Sequence, residues 1–163
     1  MDAFAVFGIQ TFFSFVVFGL LAWWYVWPWL KSADRTTAFT ALTFIHALRP
    51  IGATVLVASV AGTALPRDFA EAVAYGDLAT SLLAVVTLVA LRGRLGFAIV
   101  LVWLTNIFGF ADLVNALIGG IRYDIARLGM GSFWYVVAFL VPILWIAHVL
   151  AFLLLLRPQA ATR

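Results

Sequence analysis

The stretch Phe44-Ile-His-Ala-Leu-Arg-Pro-Ile-Gly52 places a proton acceptor, a cation and a helix breaker close together. It lies inside an apolar run from about Thr37 to Gly62. Arg49 falls near the middle of that run, where a cation costs several kcal/mol in hydrocarbon unless it is paired or reached by water. Pro50 cannot donate a backbone hydrogen bond, so in an α-helix it frees the carbonyl of His46. Helical spacing decides which other polar side chains could answer these groups. Thr43, His46 and Arg49 share a face of one helix, and Asp77, Thr80, Ser81 and Thr87 share a face of the next. Thr105, Gly109, Asp112 and Asn115 line up on a third, with Asn106 pointing well away. Gln10, Thr11 and Ser14 cluster near the start. Trp134, Ala138, Val141, Trp145, His148 and Phe152 form a stripe near the end. Polar faces in hydrocarbon turn toward one another or toward water, so these stripes predict a bundle with a polar interior.

The candidate site is His46, Arg49, Asp77, Asp112, Asn115 and His148. Arg49 with Asp77 or Asp112 is either an ion pair that pins helix register, or a counter-ion and gate for an anion or a proton. Burial raises a carboxylate pKa, a second carboxylate raises it further, and an arginine opposes both. His46 and His148 have three readings: hydrogen-bonded structural histidines, a proton-transfer pair, or the axial ligands of a transmembrane haem. A zinc site needs a third ligand at the same depth, and none is evident. A serine nucleophile on Ser14 or Ser81 would need a Ser–His–acid geometry. Asp77 lies one turn before Ser81, which is the spacing of an internal hydrogen bond instead. No catalytic residues are assigned. No glycine-rich phosphate loop occurs on a polar segment.

These residues need elements that hold them in lipid. Of 163 residues 66% are hydrophobic and 10% charged, and the mean hydropathy is +1.12. A soluble domain is usually just under half apolar with about a quarter of its residues charged. Spanning a bilayer takes about 20 apolar residues in helical form. Five segments qualify, at about 4–29, 37–62, 69–91, 95–118 and 132–156, within a single transmembrane domain over 1–163. The fold class is therefore all-α, an integral membrane bundle of five transmembrane helices. Trp23-Trp-Tyr-Val-Trp-Pro-Trp29 reads as an interfacial aromatic belt. The connection from Gly119 to Ser132 has room for a short surface helix. Cysteine is absent, which excludes disulfides, thiolate metal sites and cysteine nucleophiles. The net charge of +3 sits in short loops and reads as topology, not as a nucleic-acid surface. Met1-Asp-Ala-Phe has no basic n-region, so the first segment is expected to remain in the mature protein.

Lys31, Arg35, Arg92, Arg94, Arg157 and Arg163 fall on one side of the five spans, and Arg67, Arg122 and Arg127 on the other. The positive-inside rule then puts the N-terminus outside and the C-terminus in the cytoplasm. At 1.5 Å per residue, His148 lies roughly 12 Å from the inner end of its helix, at the depth of His46. Asp77 lies about 5 Å outside the midplane, within reach of an arginine. Asp112 and Asn115 lie further out, on the level of Gln10.

Leu65-Pro-Arg-Asp-Phe-Ala70 running into Tyr75-Gly-Asp-Leu78, then Asn106-Ile-Phe-Gly-Phe-Ala-Asp-Leu-Val-Asn-Ala116, resembles an uncharacterised bacterial family of small multi-helix membrane proteins. The shared pattern, L-P-x-x-F-A…G-D and N-x-x-G-x-x-D-L-x-x-A, covers about a third of the chain. The resemblance implies a polytopic inner-membrane protein and brings no activity with it. The function expected from the residues is binding or sensing of a small lipophilic or amphipathic ligand, in an outward-facing cavity near Asp77, Asp112 and Asn115 with Arg49 at its floor. Alternatives are a proton or ion relay, a haem-bearing oxidoreductase subunit, and an accessory subunit of a larger complex. Ala58 and Gly62, with Ala116 and Gly120, have the spacing of close helix packing, within the monomer or in a homodimer.

Overall fold

The computed structural model describes residues 1–157, so Arg163, counted above in the charge asymmetry, lies outside them. Among the described residues the chain is helical and contains no strand. Five helices are long and apolar enough to cross a membrane: α1 (Ala3–Ser32), α2 (Arg35–Leu56), α3 (Arg67–Arg92), α4 (Ala98–Arg122) and α5 (Phe133–Leu156).

The termini and breaks of these helices follow from single residues. Asp2 starts α1 by accepting from Ala5 N–H at 2.8 Å, and Asp34 starts α2 by accepting from Thr37 N–H at 3.0 Å, which satisfies donors that a first turn leaves open. Pro28 leaves the Trp24 carbonyl without its N–H partner, and α1 widens into a π turn over Ala22–Val26. Pro142 does the same in α5, where the π turn covers Val136–Leu140.

The second span departs from the predicted 37–62. It is α-helical only over Arg35–Ala47 and tightens to a 3₁₀ helix over Arg49–Leu56, with Pro50 in its first turn. A short turn, Ala58–Ala61, follows and stops at Gly62, whose φ of +74° suits glycine. Gly131, at φ +51°, lies against the same turn. Beside it Ser132 N–H donates to the Val60 carbonyl at 2.7 Å. The connection between α4 and α5 holds the short helical turn Ile125–Arg127.

Helix α3 packs against both α2 and α4, and α5 closes the bundle against α2 and α4. Helix α1 lies outside, on α5. Only 6% of its apolar window is buried, against 33–39% for the other four, so its apolar surface is left uncovered by the rest of the chain, as fits a helix that meets lipid. The end of the bundle that carries Lys31, Arg35 and Arg92 is filled with apolar side chains, among them Leu30, Phe39, Leu42, Leu91, Leu150 and Leu154. One hydroxyl pair, Thr87 and Thr105 at 2.8 Å, crosses it between α3 and α4.

Candidate functional site

Arg49 sits where α2 changes from α to 3₁₀. In a 3₁₀ helix residues three apart eclipse one another, and Arg49, Gly52 and Val55 are the buried residues of that segment. The change of period therefore carries Arg49 and Gly52 inward on one line. Arg49 is 1% exposed and its guanidinium is divided among three acceptors on two other helices. Nε donates to Asp77 Oδ1 on α3 at 2.5 Å, Nη1 to the Gly109 carbonyl on α4 at 3.1 Å, and Nη2 to Asp112 Oδ2 on α4. The two carboxylates lie at the rim, with side chains 12% and 10% exposed. Charge-assisted bonds of this kind are the strong ones, and a membrane interior demands them.

Glycines make this convergence possible. A Cβ on Gly52 would stand 1.6 Å from Asp77 Oδ2, and one on Gly76 would stand 1.7 Å from Asp112 Oδ1. A Cβ on Gly109 would meet His148 Cε1 at 2.8 Å and Nε2 at 3.0 Å. Each acid, and one imidazole, thus occupies a notch on a neighbouring helix that any side chain would fill.

Behind the guanidinium the two histidines meet. Their rings stack with centroids 3.9 Å apart and planes at 22°. His148 is fully buried and His46 is 2% exposed. Asn106 orients His148: its Oδ1 lies 2.7 Å from Nδ1, and its Nδ2 donates to the His148 carbonyl at 3.3 Å. With the amide oxygen accepting, Nδ1 carries the ring proton and Nε2 keeps a lone pair. That Nε2 and both ring nitrogens of His46 are buried without a protein partner. Axial haem ligation needs two imidazole edges aimed at iron from opposite faces of a porphyrin. Faces stacked at 3.9 Å leave no room for one, so these residues do not fit a haem and that reading is set aside.

Of the six residues singled out by sequence, five come together: Arg49, Asp77, Asp112, His46 and His148. Asn115 does not. It is exposed, one turn along α4 from Asp112. Asn106, expected to point away from the polar face of α4, is 2% exposed and holds His148, because α5 also packs on α4, beside α3, with Thr80 and His148 both reaching Gly109. Ser81 is turned to α2, where it donates to the Ala47 carbonyl at 2.9 Å, instead of to Asp77 within its own helix. It thereby serves the break in α2 one residue beyond the carbonyl that an unbroken α-helix would have freed. Gln10, placed by depth on the level of Asp112 and Asn115, accepts from Trp134 Nε1 at 2.6 Å. Gly52 and Gly76 were missed as site residues. The available signal was two glycines inside apolar spans, where glycine weakens a helix without compensation.

A groove of about 310 Å³ lies between α1 and α5, lined by apolar side chains such as Ile9, Phe13, Val17 and Phe139.

Fold and site together define a protein that is helical over its described residues, with five candidate membrane spans and a charge centre enclosed by four of them. Residues 6–156 match the family described as Domain of unknown function (DUF8737), and the chain belongs to that family. No curated protein and no solved structure matches it.

Proposed function

We propose that the chain is a membrane-embedded binding or sensing protein whose centre, Arg49 with Asp77 and Asp112, receives the polar head of a small amphipathic molecule. The observation that carries this reading is one guanidinium shared by two acids from two other helices, at 1% exposure, in a chain built for lipid. Ionisable groups inside a membrane are costly and mark functional sites by default. The acids keep a partly open rim, and exposed Asn115 stands one turn along α4 as the entrance. The ligand's apolar part would remain among the exposed side chains Ile51, Tyr75 and Phe108. The protein is read as residing in a bacterial inner membrane, with the acidic rim toward the outside by the charge asymmetry of its loops.

The test is native mass spectrometry of the gently solubilised protein, comparing wild type with Asp112→Asn and Asn115→Ala. Loss of a co-purifying lipophile in both folded variants supports the reading, and unchanged retention overturns it. The same spectrum reports any second copy or companion subunit.

A second reading, a proton relay running Asp112, Asp77, Arg49, His46 and His148, is favoured by their contiguity across the bundle. The apolar packing of Leu30, Phe39, Leu42 and Leu91 beyond the histidines weighs against passage to the far side. Proton flux into liposomes that disappears in Asp77→Asn would establish the relay.

A further inference from the structure

We infer that the ligand head is a protonated amine, and that it enters the centre in exchange for one proton. The inference rests on the binding reading above and deepens it by assigning the charge of the head group.

The centre holds one guanidinium against two carboxylates, one negative charge in excess. An uncompensated charge in hydrocarbon is expensive enough that a proton or a cation neutralises it. The remaining ionisable side chains on the packed elements do not supply that charge. Arg67 pairs with Glu71 at 2.7 Å and Arg127 with Asp124 at 3.1 Å. Asp68, Arg122, Arg35 and Arg92 stand toward the helix ends, and Tyr75, 62% exposed, brings no positive charge. His46 and His148 stack face to face behind Arg49, where a charge on either ring would lie against the guanidinium.

The acceptors that remain point the same way. Arg49 uses Oδ1 of Asp77 and Oδ2 of Asp112, which leaves Asp77 Oδ2 over Gly52 and Asp112 Oδ1 over Gly76. A third acceptor without a donor lies close by: Nε2 of fully buried His148, against the same Gly109 whose carbonyl Arg49 holds. A primary ammonium brings one positive charge and three N–H donors. When R–NH₃⁺ binds, the proton that had neutralised the carboxylate pair passes to solvent, so the charge of the centre is the same before and after. An anionic head would raise an existing excess, and a neutral alcohol would displace no proton.

The experiment is isothermal titration calorimetry of the full chain in a neutral detergent, with dodecylammonium, dodecanol and dodecanoate as probes and two buffers of different ionisation enthalpy. The expected result is tighter binding of the amine, by about tenfold or more, with about one proton released per amine. Its affinity should fall as pH is lowered, because protons compete for the same carboxylates. Competition by phosphatidylethanolamine but not phosphatidylcholine in nanodiscs assigns the head to a lipid; absence of competition assigns it to a free amine. Both outcomes uphold the ammonium site. Equal binding of all three probes, each weakened in Asp112→Asn, overturns the amine assignment and leaves the binding site standing. Amine binding without proton release overturns the exchange, and no binding of any probe overturns both. The wild-type pH series needs no variant, so a variant that fails to fold does not remove the test.

Discussion

Replacing Arg49 by methionine should be far more damaging than neutralising either acid. The methionine has a similar reach but leaves Asp77 and Asp112 facing each other without a cation, and strips a donor from the Gly109 carbonyl. Removing one partner of a buried ion pair costs about 3–5 kcal/mol, because the charge left behind is uncompensated. Here the remaining carboxylate charge also loses a partner that bridged two helices, which puts Arg49→Met toward the top of that range. Asp112→Asn removes the excess negative charge and keeps an amide oxygen for Nη2, while Asp77 continues to balance the guanidinium. Weakening one charge-assisted bond in this way should cost about 1–2 kcal/mol. The combined variant Arg49→Met, Asp77→Asn, Asp112→Asn carries no charge at the centre and should recover most of the loss, since an uncharged replacement of a buried ion cluster is often close to neutral. Unfolding in mixed micelles of increasing dodecyl sulfate, followed by far-UV circular dichroism, reads all three. The reasoning is refuted if Arg49→Met lies within about 1 kcal/mol of Asp112→Asn, or if the combined variant is the least stable.

Further expectations concern the surroundings of the centre. Gly76→Ala should cost about 1–3 kcal/mol or more through overpacking, because its Cβ would stand 1.7 Å from Asp112 Oδ1. Gly19→Ala, with nothing within 4 Å of its Cβ, should instead stabilise α1 by about 0.5–1 kcal/mol, measured by the same unfolding series. Asn106→Leu should cost about 1–3 kcal/mol by stranding Nδ1 of His148, and ¹⁵N NMR of the imidazole should show the loss of a single tautomer. Asp34 lies between α1 and α2, and its bonds from Thr37 hold its carboxyl below the ordinary carboxylate value. A depressed pKa in the folded state gives stability that is present above the unfolded value of about 3.9 and lost as pH falls through the folded one. Wild type should therefore exceed Asp34→Asn in thermal stability at pH 6, with the gap closing on acidification below pH 4.

The sequence by itself determined the solvent and the inventory. Five long apolar runs fit helices that cross a membrane, where a helix satisfies every backbone group within its own segment. Arg49, His46, Asp77, Asp112 and His148 stand out on the same ground, since polar side chains at helical spacing in hydrocarbon turn inward. Depth arithmetic, at a fixed rise per residue, put the two histidines level before any helix was known to touch another. Tertiary structure decided the partners. Whether Asn106 or Asn115 joins the centre depends on which side of α4 receives α5, and periodicity within one helix carries no information about its neighbours. The 3₁₀ turn after Leu48 changed the period from 3.6 to 3 and lined up Arg49 with Gly52. That shift is too small to read from composition, yet it sets the notch in which Asp77 rests. Helix packing is fixed by contacts between segments distant in the chain, and the glycines at those crossings acquire their meaning only once the crossings exist.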